Sequence, residues 1–294
     1  DGSYEVINIM ATYGPTNTNG KHFNFLCHVD VVPPGNLEDW DTHPFEPTIK
    51  EGYLYGRGSE DMKGCTAASM VSVFKFIKEN KDFNGTISFI ITGDEEADSV
   101  NGVKKVVKWL KENNIRIDGS IATESSSEKV IGDQIKVGRK GAVDVQIEII
   151  GKQGHAAYPQ LAQNPLHCMS KLISFFDDQK LDDGAEYFEP STLQFTQINL
   201  NNKAKNVIPE KLITVGDMRF NDNWDQTKIQ NYFDKHLTRL CSENNCKYNL
   251  KLTFRGMPFQ AFDNPFTKHC IKAIKDVTGL EASQDTGGGT SDAR

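Results

Sequence analysis

Two apolar rhythms share this chain, and together they restrict its fold more than any other feature. Residues 86–92, TISFIIT, are apolar almost without interruption. A strand of that kind is buried on both faces, as in a parallel sheet covered by helices. Residues 141–151, GAVDVQIEIIG, alternate instead, with Val143, Val145, Ile147 and Ile149 on one side. That pattern puts one strand face in a core and the other toward solvent. The two patterns call for two different sheets, and 294 residues suit two domains.

The first rhythm extends over the first half. Strand candidates at 22–32 (HFNFLCHVDVV), 86–92 and 118–123 (DGSIAT) alternate with helix candidates at 63–80 and 101–114. Ala67, Met70, Val71, Phe74 and Ile77 recur at helical spacing in the first helix, and Val103, Val106, Val107 and Leu110 in the second. This alternation predicts an α/β domain with a mostly parallel sheet covered on both faces. The second rhythm places strands at 141–151, 191–200, 211–220 and 247–254 and helices at 164–176 and 226–244. The order β-α-β-β-α-β is that of the ferredoxin-like split motif. The expected division is one domain from 1–140 with 255–294, and a second, inserted domain at 141–254.

Charge and composition exclude some partners. The chain has 33 basic and 40 acidic residues, for a net charge of −7. The basic residues are scattered, which argues against nucleic acid as the main partner. No apolar run approaches the roughly 20 residues of a membrane helix. The first residues, DGSYEVINIM, lack the basic start and cleavage site of a signal peptide, and they lack an initiator Met. The chain is therefore expected to begin inside a longer product. Cys27, Cys65, Cys168, Cys241, Cys246 and Cys270 form no C-x-x-C pair. They read as reduced thiols of a cytoplasmic protein, with Cys241 and Cys246 leaving open a metal pair.

Acids and histidine gather at the predicted strand ends. His28-Val29-Asp30 closes the first strand, Asp94-Glu95-Glu96 follows TISFIIT, and Glu124 follows the short third strand. Asp61 lies in the glycine-rich stretch YGRGSEDMKG that opens a helix. Ligands of open α/β sheets bind outside the carboxyl ends of the strands, so these groups are expected in one crevice. His28 and Asp30 share a strand face, which lets Asp30 accept an imidazole proton and strengthen His28 as a ligand. Each group also has a plainer reading: a surface H-x-D, a helix N-cap at Asp61, a solvated acid loop at Glu95-Glu96, loop filler at Glu124. Together, one histidine and several carboxylates suit a hydrolytic zinc site. A bridging carboxylate would hold two metals about 3.5–4 Å apart. One glutamate of the doublet can then bind metal while its neighbour works on water. His155, in GKQGHAAYP, is either a loop histidine or an electrophile that stabilises an oxyanion.

The stretches HVDVVPPGNLEDWDTHPFEP, LYGRGSEDMKG, TGDEEADSVNGVKKV, ATESSS, GRKGAVDVQIEIIGKQGHAAYPQLAQNP, NVIPE and DTGGGTSDAR span nearly the whole chain. They resemble the co-catalytic zinc aminoacylase and carboxypeptidase family. The resemblance implies that His28 and Glu124 ligate one zinc, Glu96 the other, and Asp61 both. It implies that Asp30 orients His28, that Glu95 is the general base, and that His155 stabilises the oxyanion, typically from the partner subunit. The inserted domain would be a lid through which a homodimer forms. Arg139, Tyr158, Asn206, Arg219, Thr286, Gly287 and Gly288 would bind substrate, the two arginines by gripping carboxylates. Implied cofactors are two Zn²⁺, for which Co²⁺ can substitute. The implied partner is a small N-succinyl amino acid, not nucleic acid or membrane. The narrowest implied reaction is hydrolysis of N-succinyl-LL-2,6-diaminopimelate to succinate and LL-2,6-diaminopimelate. Alternatives are another deacylation, as by an acetylornithine deacetylase or a dipeptidase, or a non-catalytic dimeric binding protein. The family's second zinc takes a further histidine near the C-terminus. No histidine follows His269, which precedes TGGGTSD in a predicted helix. The second site is therefore expected to lack one ligand, and the chain to be truncated at both ends.

Overall fold

Why the apolar run at 86–92 carries no alternation is plain from what covers it. A computed structural model describes residues 5–15, 20–97, 99–289 and 291–294. In order, the first elements are β1 (Ile9–Tyr13), β2 (Lys21–His28), β3 (Thr48–Lys50), β4 (Tyr53–Tyr55), α1 (Cys65–Glu79), β5 (Gly85–Thr92), α2 (Val103–Glu112) and β6 (Gly119–Ala122). They form a mixed sheet, β1-β5-β2-β6, in which β5, β2 and β6 are parallel and β1 is an antiparallel edge. Cys27, Ile87 and Phe89 pack on one face with Met70, Val73 and Ile77 of α1. Leu26 and Ile90 pack on the other with Val103, Val106 and Leu110 of α2. Successive residues of β5 thus enter opposite cores and are buried on both faces, the polar ones, Thr86, Ser88 and Thr92, with hydrogen-bond partners.

Two helix faces differ from the expected ones. Val71 and Phe74 of α1 are 67% and 65% exposed, and Val107 of α2 is 40% exposed. Helix α1 is apolar on most sides, so periodicity alone did not single out Val73, which is buried along with Thr66.

The later elements are β7 (Gln134–Lys136), β8 (Gly138–Arg139), β9 (Gly141–Ile150), β10 (Gly154–His155), α3 (Pro165–Asp177), β11 (Thr192–Asn199), β12 (Val207–Ile208), β13 (Lys211–Phe220), α4 (Gln226–Glu243), β14 (Lys247–Gly256), β15 (Phe259–Gln260), α5 (Pro265–Thr278) and β16 (Ser283–Asp285). Strands β11-β13-β9-β14 make an antiparallel sheet. Val143, Val145, Ile147 and Ile149 all face its core, fully buried with Leu172 of α3 and Ile229, Phe233 and Leu237 of α4. Asparagine followed by proline starts two of these helices: Asn164 and Asn264 each accept a backbone N–H, from Leu166 and Phe266, with proline at the first helical position.

The described residues separate into two units, one running to Ile131 and including Ser291–Ala293, the other from Gly132 through the glycine run with Arg294. This grouping differs from the boundaries at 140/141 and 254/255 expected from pattern. Parallel pairing of β16 with β7 and antiparallel pairing of β15 with β8 tie the residues after β14 to the start of the second unit. No described helix is long and apolar enough to cross a membrane. All six cysteines are free.

Candidate metal centre

Strand β2 ends on His28, which is 2% exposed. Its backbone N–H donates to the Met62 thioether at 3.2 Å, so the Asp61-Met62 segment is pinned beneath the strand end. Gly58 makes this possible: it has φ 78°, and a Cβ there would fall 2.5 Å from Val31 Cγ1. The turn Ser59–Gly64 then carries Asp61 to within 3.1 Å (Oδ1) of His28 Nε2.

Asp30 acts differently from the expectation. The His28 Nδ1–H donates to the Asp30 backbone carbonyl at 3.1 Å, while the Asp30 carboxylate oxygen Oδ1 stands 3.6 Å away. The strand has already ended at His28, so residue 30 no longer shares its face. Instead Asp30 Oδ2 accepts the Glu96 backbone N–H at 2.8 Å. Asp30 therefore ties the end of β2 to the acid doublet after β5. Asp94 serves the backbone: it is 2% exposed, and its Oδ2 accepts the N–H groups of Val100 and Asn101, closing the loop around Glu95 and Glu96.

His28, Asp61 and Glu96 each bring a ligand atom within 4.8 Å of the others. Among the described residues, neither Cys241 nor Cys246 belongs to a group of three or more such donors, and Cys241 Sγ lies 4.0 Å from Cys168 Sγ. Glu124 is outside the three-residue group, and its Oε1 accepts the Ser291 hydroxyl at 2.9 Å. It stands near Glu95, whose carboxyl is pushed up to about 7, by burial first and then by the Glu124 carboxylate, with His28 opposing and Asp292 and Glu96 adding. Glu96 is raised by burial and by Asp61. Burial would lower His28, but Glu95, the Asp30 carbonyl, and the Asp30 and Asp61 carboxylates outweigh it and raise the imidazole.

These shifts bear on whether a cation fits. With Nδ1–H committed to a carbonyl, Nε2 carries a lone pair directed at the Asp61 carboxylate. Two lone pairs at that distance need a positive charge between them, a proton or a metal ion. One imidazole and neighbouring carboxylates are a zinc donor set, so the residues fit the group.

Other expected site residues form clusters in the second unit. The Ala157 N–H donates to His155 Nδ1 at 3.0 Å, on the side of the ring away from Nε2. Asn206 reaches that nitrogen at 3.4 Å, and the Tyr158 ring lies 5.8 Å from the imidazole. Arg139 donates to the Gly287 carbonyl at 2.6 Å beside Gly288, and Thr286 Oγ1 donates to the Tyr187 carbonyl at 2.8 Å. Arg219 belongs to neither cluster: its guanidinium is held by Asp217 at 2.6 and 3.2 Å. Sequence reasoning missed Met62, Ser291 and Asp292, although all three lie inside the motif stretches, and it noted Asp94 without its backbone-holding part. Asp98 and Thr290, also in those stretches, lie outside the described residues.

A model of peptidase family M20/M25/M40 matches residues 25–294. The chain belongs to this family. A succinyl-diaminopimelate desuccinylase of Pelagibacter ubique (strain HTCC1062) is 39% identical over 292 residues, covering 99% of this chain and 75% of the relative. One of Stenotrophomonas maltophilia (strain R551-3) is 38% identical over 290 residues, covering 99% and 76%. Among solved structures, a tripeptidase from Staphylococcus aureus aligns with a TM-score of 0.76 at 25% identity, over 97% of this chain and 71% of that one. A Bacillus subtilis protein of the M20 family, described as a dinuclear metal binding peptidase, aligns at 0.66 and 16% identity, over 97% and 71%. The latter likeness concerns the fold alone. Membership of the M20 family accounts for the mixed α/β sheets.

Proposed function

We propose that this M20-family chain hydrolyses the amide of N-succinyl-LL-2,6-diaminopimelate, releasing succinate and LL-2,6-diaminopimelate. The observation that carries the reading is the group of His28, Asp61 and Glu96 with the half-buried Glu95 beside it. The names of the relatives supply the substrate. His28, Asp61, Glu96 and Glu124 are the residues that would hold two zinc ions. Bound zinc would polarise the amide carbonyl and make water acidic enough to attack near neutral pH.

The chain's own residues handle the rest. Asp30 fixes the His28 tautomer through its carbonyl and the Glu96 backbone through its carboxylate. Glu95 takes a proton from the attacking water and returns it to the leaving amine. His155 donates its Nε2–H to the oxyanion formed in the centre of a second copy of the chain. Support for a lid and dimerisation domain at 141–254, of ferredoxin-like type, comes from the β-α-β-β-α-β order and the β11-β13-β9-β14 sheet. Arg139, near Thr286, Gly287 and Gly288, and Arg219, whose guanidinium Asp217 holds, are the residues that would grip substrate carboxylates. Tyr158 and Asn206 flank His155.

The test is turnover of N-succinyl-LL-2,6-diaminopimelate against N-acetylornithine by the zinc-reconstituted protein. The succinyl substrate is expected to be the faster. Faster release of acetate sinks the substrate assignment, and hydrolysis of neither amide favours a binding protein on this fold.

A further inference from the structure

Two buried polar residues near the C-terminal end do more than close the fold. Ser291 is 3% exposed and Asp292 is 7% exposed, and Ser291–Ala293 belong to the first unit. Asp292 Oδ2 accepts the Thr92 hydroxyl at 3.4 Å, at the end of β5. Ser291 Oγ lies 2.9 Å from Glu124 Oε1, just beyond β6. A short segment distant in sequence thus touches both strand ends that carry the acids.

The direction of the serine contact is fixed by proton count. A hydroxyl has one proton, and an ionised carboxylate only accepts. The Ala293 N–H donates to Ser291 Oγ at 3.3 Å, so one of its lone pairs is taken and the proton is left for Glu124. That bond engages Oε1 and does not involve Oε2, the second oxygen of the carboxylate. A glutamate held in one rotamer by a buried partner loses less freedom on binding a cation than one on a loose loop. Hydrogen bonds to ligating carboxylates orient them in the same way.

We propose that Ser291 is a positioning residue of the metal centre: its hydroxyl holds Glu124 by Oε1 so that Oε2 is presented to the cation. The inference rests on the metal-centre reading above.

The experiment titrates Zn²⁺ against a competing chelator into metal-free wild type, Ser291→Ala and Ser291→Thr. Thermal melting is followed in excess chelator, and visible absorption after loading with Co²⁺. Ser291→Ala should lose affinity about 10–100-fold and alter the Co²⁺ spectrum, with its metal-free melting temperature unchanged. Ser291→Thr, which keeps the hydroxyl, should recover most of the affinity. Wild-type affinity in Ser291→Ala overturns the inference alone. So does a fall in the metal-free melting temperature that Ser291→Thr fails to rescue, because the role is then structural. Failure of the wild type to bind Zn²⁺ overturns the metal-centre reading itself.

Discussion

Glu95 and Glu96 are neighbours with the same side chain, yet their surroundings differ. Glu95 faces Glu124 and Asp292 and is raised to about 7, while Glu96 faces Asp61 and has its backbone held by Asp30. The sequence showed that acids collect at strand ends. It did not show that Asp94 closes the loop, or that the Asp30 carbonyl, rather than its carboxylate, serves His28. Such distinctions depend on where a strand stops, and local pattern fixes that to a residue or two at best. Asp182, which the sequence did not mark, gives a further case. Burial alone would raise its carboxyl, but hydrogen bonds from Ser191, the Trp224 indole and the Gly184 backbone pull it from 3.8 down to about 2. A depressed folded value means that its stabilisation is complete above about pH 4 and is lost as the pH falls toward 2. Urea unfolding of Asp182→Asn should show a deficit on the order of 2 kcal/mol at pH 7 that narrows by pH 3. A deficit independent of pH would mean that the carboxylate charge is not what stabilises this turn.

At the scale of elements, legibility followed the regularity of burial. Strand β9 has a core on one side only, so alternation located both the strand and its inward face. Helix α1 has apolar residues around most of its surface, so its position was legible and its buried face was not. Strands β7, β8, β15 and β16 are two or three residues long and pair across most of the second unit, which leaves no local period to read. The contrast between faces has a measurable consequence. Ile147→Ala, at a fully buried site, should cost about 2–5 kcal/mol in urea unfolding. Phe74→Ala, at a site 65% exposed, should stay within about 0.5 kcal/mol of wild type. A large loss at Phe74 would mean that this face of α1 is covered in solution.

At the scale of the whole chain, the candidate centre is built from four separated pieces: the end of β2, the turn before α1, the loop after β5 and the segment after β6. Ser291 and Asp292 add a fifth. That strand ends would bring acids near His28 was expected because parallel strands place their carboxyl ends together; the structure groups His28, Asp61 and Glu96, with Glu124 outside the group. The fifth piece was not expected, because its contacts join residues far apart in sequence through single hydrogen bonds. Everything proposed for the centre turns on a division of labour in the acid doublet, and metal content measured beside turnover decides whether it exists. In zinc-reconstituted protein, Glu95→Ala should keep its metal and lose about 10²–10⁴-fold in turnover, while Glu96→Ala should lose metal. Metal loss in Glu95→Ala with full retention in Glu96→Ala would contradict the assignment.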